Sequence, residues 1–285
     1  MRVKAAAKIN LALDVTGKLP NGYHEIESVF QTVAIFDDVT VELIEKGIEL
    51  TCEIPESFDS ADPIPCDERN IAYKAAKMFL EESGLNLGCR IHIEKQIPSQ
   101  AGMGGGSTDA AAVLHCLSKL TRKTFSAPER LGADVPFFLT GGTAYVTGIG
   151  EKVRKIADCE GKILVIAKGK EGVSTAKAYA EIDALEAPAP VRVKELVKAI
   201  ENGRNIAKYI GNIFEEAVKL SEVDDIKKKM ISSGAKAACM TGSGSAVFGL
   251  FKDIIPALKC QERLEADGYF ALVTDTVPFT FIGMR

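Results

Sequence analysis

The chain opens with a strict alternation. Ile9, Leu11, Leu13 and Val15 point one way, and Lys8, Asn10, Ala12 and Asp14 point the other. Period two predicts a strand with one buried face. Residues 17–22, containing Pro20-Asn21-Gly22, form a turn, and a second strand runs from Ile26 to Ile35. Val39 to Ile44 and Ile48 to Ile54 read as a further hairpin that turns at Lys46-Gly47. A polar loop follows from Pro55 to Arg69. Asn70 then opens a helical pattern in which Ile71, Ala75, Met78 and Phe79 share a face, and Cys89 to Ile93 returns to a strand.

Pro98 to Gly106 is a loop. Ser107 or Thr108 is positioned to cap a helix whose face carries Ala112, Leu114, Leu117 and Leu120. A short apolar segment begins at Asp134 and ends at Gly141-Gly142. Past Gly150-Glu151 the pattern changes. A strand at Ile163–Ala167 and a helix at Ser174–Ile182 precede Pro188 and Pro190, and three helical stretches lead to Ser232. Strands at Ala235–Met240 and Ala246–Phe251 flank the turn Thr241-Gly242-Ser243-Gly244-Ser245. A helix over Ile255–Ala266 and a strand from Phe270 complete the pattern. The change near residue 155 predicts two domains, 1–155 and 156–285.

With 285 residues, 46% of them hydrophobic, the chain can build a sizeable core. A net charge of -4 argues against a broad basic face for nucleic acid. The seven cysteines are scattered and the three histidines lie far apart, which fits reduced thiols rather than a disulfide framework or a histidine metal site. No run reaches the ~20 apolar residues of a membrane span, and the N-terminal pattern is broken too early for a signal peptide. A cytoplasmic protein is expected, with no nucleic-acid or membrane partner.

The strongest chemical signal is the run Pro98-Ser99-Gln100-Ala101-Gly102-Met103-Gly104-Gly105-Gly106-Ser107-Thr108. Glycines let a backbone approach a ligand closely, and a helix start offers free N–H groups to an anion. The run lacks the Gly-Lys-Ser/Thr ending of a Walker loop and the spacing of a dinucleotide fingerprint. Lys8 is either a snorkelling lysine at a strand edge or a cation near a transferred phosphoryl group. Asp134 is either a helix cap or a carboxylate that takes or orients a hydroxyl proton. The Thr241–Ser245 run on its own is an ordinary tight turn.

Taken together, Ala7-Lys8-Ile9-Asn10-Leu11, Asn21-Gly22-Tyr23-His24-Glu25, the glycine run, Gly132-Ala133-Asp134-Val135-Pro136-Phe137-Phe138, Gly148-Ile149-Gly150-Glu151 and Gly242-Ser243-Gly244-Ser245 resemble the GHMP kinase superfamily. The order is most similar to members acting on a cytidyl diphosphate sugar alcohol. The resemblance implies an α+β protein of two domains, the first like ribosomal protein S5 domain 2 and the second ferredoxin-like, with the site in the cleft between them. It implies Lys8 and Asp134 as the catalytic pair. Pro98 to Thr108 would wrap ATP, Ser107 and Thr108 would lie near phosphate and Mg2+, and Lys95 and Asn70 would border the nucleotide. Asn10, Tyr23, His24, Thr175, Tyr179, Gly242 and Ser243 would face the small-molecule substrate. A monomer or homodimer is expected. Two features depart from the pattern. Met103 stands where leucine is common, a volume-conserving exchange, and the stretch from Leu120 to Gly132 is shorter than the resemblance implies, by roughly a helix of ordinary length, with no apolar periodicity from Thr121 to Arg130.

Overall fold

The computed structural model describes residues 1–55, 64–186 and 188–284. Residues 56–63 of the expected polar loop lie outside that set. The chain runs β1 (Arg2–Lys18), β2 (His24–Ile44), β3 (Ile48–Glu53), α1 (Ile71–Ser83), β4 (Gly88–Glu94), α2 (Gly105–Thr121), α3 (Val135–Thr140), β5 (Thr143–Thr147) and β6 (Lys152–Lys155). It continues β7 (Ile163–Lys168), α4 (Thr175–Asp183), α5 (Val193–Glu201), β8 (Gly211–Asn212), α6 (Phe214–Ala217), α7 (Ser221–Ser232), β9 (Ala237–Met240), β10 (Val247–Phe251), α8 (Ile254–Ala266), β11 (Phe270–Asp275) and β12 (Phe281–Met284). The fold is α+β, with two sheets.

The first sheet has eight strands, built on the path β12-β1-β2-β4-β3, with β5 and β6 extending from β2 and the short β8 beside β1. The second sheet has the order β11-β7-β10-β9, all antiparallel. That order, with helices between β7 and β9 and between β10 and β11, is the ferredoxin-like arrangement the resemblance implied.

Three local expectations are corrected. The second and third strand signals belong to one continuous strand, β2. The hairpin expected at Lys46-Gly47 does not form, because β4 lies between β2 and β3, antiparallel to the first and parallel to the second. The burial pattern explains this: Cys89, Ile91 and Ile93 of β4 are fully buried, whereas in β3 only Leu50 is buried, so the more apolar strand takes the interior position. A side chain at Gly88 would lie 2.2 Å from the Gly47 carbonyl oxygen, so glycine there lets β4 start directly beneath the turn.

The second correction concerns β1, which is buried on both faces. Ile9 and Leu11 join the apolar cluster formed by α5 and the second sheet, while Lys8 and Asn10 are buried on the opposite side. The third concerns α2. Its N-cap is Gly104, at φ 74°, rather than Ser107 or Thr108. A Cβ at Gly104 would sit 2.6 Å from the Phe138 ring, so only glycine lets the loop enter the helix there. Ala110, Ala111 and Ala112 of α2 are fully buried, and their small size lets α2 lie close against β1 and β2. The sequence reading also lacked the β5–β6 hairpin and the terminal strand β12, which pairs with β1.

Candidate active site

Two cavities meet at the glycine loop. The first, of about 470 Å³, is lined by every residue from Pro98 to Ser107 together with Arg69, Asn70, Lys95 and Asp109. The second, of about 170 Å³, is lined by Lys8, Asn10, Asp134, Thr175, Tyr179, Gly242 and Ser243, with Phe30, Ile149 and Phe214 as apolar wall. Gly102 and Gly104 border both.

The loop is fixed from two sides. The Lys8 N–H donates to the Met103 carbonyl at 3.0 Å. On the other side a Cβ at Gly102 would fall 2.2 Å from the Thr241 carbonyl oxygen, so the loop and the late turn pack backbone to backbone. Gly102 and Gly104 both hold left-handed backbone, and between them the chain turns into α2 with no side-chain cap. The first bonded amide of α2 is Thr108, which donates to the Gly104 carbonyl at 2.9 Å. The N–H groups of Gly105, Gly106 and Ser107 therefore have no intrahelical acceptor, and the helix dipole adds positive potential at the same point. That donor set fits a phosphate.

Ser107 opens onto the first cavity, but Thr108 is fully buried and its hydroxyl has no hydrogen-bond partner. Among the described residues no three histidine, cysteine or carboxylate side chains converge on a metal position. A Mg2+ ion in such a site rests mainly on phosphate oxygens and water with one or two protein ligands, and the Ser107 hydroxyl fits that role.

Asn70 and Lys95 border this cavity with their polar groups already engaged. The Asn70 side chain accepts from the Ala72 N–H at 2.9 Å, capping α1, and donates to the Pro65 carbonyl at 2.8 Å. Lys95 is buried and donates to Asp109 Oδ2 at 2.6 Å and to Asp37. Burial works against its charge, but Asp109 and Asp37 outweigh that and hold the ammonium above its ordinary value. Asp37 Oδ1 also accepts the N–H groups of Gln96 and Ile97, at 2.6 and 2.8 Å. Lys95 thus ties the entry of the glycine loop to Asp109 of α2. Asp37 and Asp109 were not singled out from the sequence. A carboxylate such as Asp37 in an apolar strand needs a partner when buried, and that is the signal that would have found it.

In the second cavity Lys8 Nζ lies 3.8 Å from Asp134 Oδ2 and donates to Asn10 Oδ1 at 2.7 Å. It also stands 4.8 Å from the centre of the Phe30 ring. Burial lowers the Lys8 pKa, and Asp134 opposes that shift. Asp134 precedes α3, yet its carboxylate makes no capping hydrogen bond. The capping alternative therefore fails, and the carboxylate is left to face Lys8. Asn10 spans the cleft: Oδ1 accepts from the Gly242 N–H at 3.0 Å, and Nδ2 donates to Ser28 Oγ at 3.0 Å. Thr175 Oγ1 and Ser243 Oγ are 3.2 Å apart, linking α4 to the late turn.

His24 lies parallel to the Tyr179 ring, with centroids 4.6 Å apart, and Phe214 meets the same Tyr179 ring edge-on at 5.0 Å. Tyr23, beside His24, is 60% exposed. The ring that stacks on Tyr179 is therefore that of His24. The apolar residues Phe30, Ile149 and Phe214 were missed as site walls because their patterns are those of ordinary core positions.

The family model for the GHMP kinases N terminal domain matches residues 70–142, and that for the GHMP kinases C terminal matches residues 193–269. A 4-diphosphocytidyl-2-C-methyl-D-erythritol kinase of Clostridium botulinum (strain Eklund 17B / Type B) is 40% identical over 287 residues, covering 97% of this chain and 100% of that protein. The kinase of the same name from Caldicellulosiruptor bescii is 41% identical, covering 93% of this chain and 94% of its own. A crystal structure of a 4-(cytidine 5'-diphospho)-2C-methyl-D-erythritol kinase superposes with a TM-score of 0.80 at 31% identity, covering 97% of this chain and 99% of the other. A homoserine kinase from Cytophaga hutchinsonii shares the fold, with a TM-score of 0.75 at 20% identity, covering 99% of this chain and 97% of the other.

Proposed function

The chain belongs to the 4-diphosphocytidyl-2-C-methyl-D-erythritol kinases of the GHMP kinase family, and we propose on that premise that its two cavities are the donor and acceptor halves of one phosphoryl-transfer site. The enzyme moves the γ-phosphoryl group of ATP to the 2-hydroxyl of 4-diphosphocytidyl-2-C-methyl-D-erythritol, a step of isoprenoid precursor synthesis. The observation that carries the site assignment is the Lys8–Asp134 pair, 3.8 Å apart, in a cavity that shares Gly102 and Gly104 with the phosphate cradle.

In this reading the amides of Gly105, Gly106 and Ser107 hold the donor phosphates, and Pro98 to Met103 form the wall around the nucleotide. Ser107 would help to hold Mg2+, which would supply neutralisation of the phosphate charge. Asp134 accepts the proton of the acceptor hydroxyl as its oxygen bonds to the γ-phosphorus and the bond from that phosphorus to the bridging oxygen breaks, leaving ADP. Lys8 holds the Asp134 carboxylate in place across 3.8 Å, and its charge offsets the negative charge gathering between the two halves. Asn10 holds Lys8 through the hydrogen bond that its Oδ1 accepts. Thr175, Gly242 and Ser243 border the diphosphate and sugar alcohol, and Tyr23, His24 and Tyr179 meet the cytosine. Lys95 and Asn70 bear on the nucleotide by holding the loop and the start of α1.

A coupled ADP-release assay with the cytidyl substrate set beside mevalonate, homoserine and galactose tests the reading. Turnover should be confined to the cytidyl substrate. Robust turnover of a non-nucleotide alcohol, with none of the cytidyl compound, would overturn it.

A further inference from the structure

Lys18 ends β1 and His24 begins β2, and the two are cross-strand partners on either side of the intervening turn. Both reach the same carboxylate. His24 Nε2 is 2.7 Å from Asp183 Oδ1, and Lys18 Nζ is 2.5 Å from Asp183 Oδ2. Each oxygen thus has its own partner, so the carboxylate cannot rotate without losing one of them. Asp183 closes α4, where a negative charge opposes the helix dipole, and the last turn of α4 holds no basic residue to offset it. Nothing in the helix itself accounts for the aspartate; its partners come from the first domain. Tyr179 lies one turn earlier on the same face of α4. It fixes the plane of the His24 ring by stacking, at 19° between planes, while Asp183 fixes its rotation at the edge.

We propose that Asp183 is a positioning residue that sets the tautomer of His24 and, through it, the base preference of the acceptor site. A carboxylate only accepts, so Nε2 of a neutral His24 carries the hydrogen and Nδ1 is left as an acceptor. Among the described residues Nδ1 has no hydrogen-bond partner. An acceptor there matches the exocyclic amine of cytosine and meets the O4 carbonyl of uracil lone pair to lone pair. This rests on the reading that His24 faces the base of the cytidyl substrate.

The test combines two measurements on wild type, Asp183→Leu and Asp183→Asn. With only three histidines in the chain, nitrogen-15 NMR of histidine-labelled protein, without substrate, reports the His24 tautomer directly. Kinetics with the cytidyl substrate and its uridyl analogue report base preference. Wild type should show the Nε2–H form. Asp183→Leu should lose that bias and reduce cytidyl-over-uridyl discrimination about tenfold, the worth of one ordinary hydrogen bond. Asp183→Asn can turn its amide to donate, so it should favour the Nδ1–H form and move preference further toward the uridyl analogue. The KM for ATP should not change in either variant. An unchanged tautomer in both variants would overturn the proposal. A changed tautomer with unchanged base preference would overturn the placement of the base at His24 instead, and leave the Asp183–His24 coupling standing.

Discussion

Replacing Gly102 by alanine probes what holds the two half-sites together. Gly102 has φ +71°, and a Cβ there would lie 2.2 Å from the Thr241 carbonyl oxygen and 3.0 Å from its carbon. Both obstacles are backbone, so no side chain can swing away. The left-handed conformation alone costs an alanine about 1–2 kcal/mol. Forcing the loop and the late turn apart adds an overpacking cost of about 1–3 kcal/mol. Together the variant should be about 2–5 kcal/mol less stable, which lowers the melting temperature by roughly 4–20 °C. Gly203→Ala is the control. Its φ is +62° and nothing lies within 4 Å of its Cβ, so it bears the conformational cost alone. Thermal unfolding of the two variants side by side separates the terms, and calorimetric titration with ATP reads the consequence at the cradle. Gly102→Ala should melt lower than Gly203→Ala and bind ATP more weakly. Equal melting temperatures with wild-type ATP affinity would refute the claim that loop-to-turn contact builds the site.

Gly105→Val should weaken ATP binding at least about tenfold by calorimetry, because the new side chain crowds Ile97 Cγ2 at 3.2 Å and Lys95 Nζ at 3.4 Å beneath the cradle; preserved ATP affinity with loss of the cytidyl substrate would assign the loop to the other ligand. Lys95→Met leaves Asp37 and Asp109 buried without their cation and should cost about 3–5 kcal/mol in urea unfolding, whereas a loss below about 1 kcal/mol would mean that the cluster bears no net buried charge. Thiol labelling at pH 8 should modify the exposed Cys66 first, since burial pushes Cys89 up to about 11 and Cys116 to about 12 and keeps both as neutral thiols; fast labelling of Cys116 with the fold intact would contradict that.

The candidate site is legible in the sequence where unusual residue types stand against their local pattern. Glycines in series before a helix, a lysine in an otherwise buried strand and an aspartate opening an apolar segment are each costly without a purpose, and Lys8, Asp134 and Pro98–Ser107 do converge. What remained hidden depends on pairing between distant segments. β4 displaces β3 from β2 because of relative burial, which periodicity within one segment does not encode. Thr108 has the residue type of a phosphate or metal ligand, but the start of α2 at Gly105 turns its side chain into the core. Nothing in the local sequence sets Asp183 apart from other helix-end residues, and its pairing with Lys18 and His24 depends on segments distant in the chain.

On this mechanism Lys8 and Asp134 act as one unit on the transferred group. A double-mutant cycle of Lys8→Met, Asp134→Asn and the combined variant tests it, with turnover measured at saturating ATP and cytidyl substrate. Asp134 makes no cap and Lys8 is not among the ion pairs that join the strands, so all three proteins should fold. Each single variant should lose at least ~100-fold in turnover, and the pair should be little worse than the more damaged single, because the second loss removes nothing further from a broken unit. Fully multiplicative losses, or a wild-type rate in Asp134→Asn, would contradict the account.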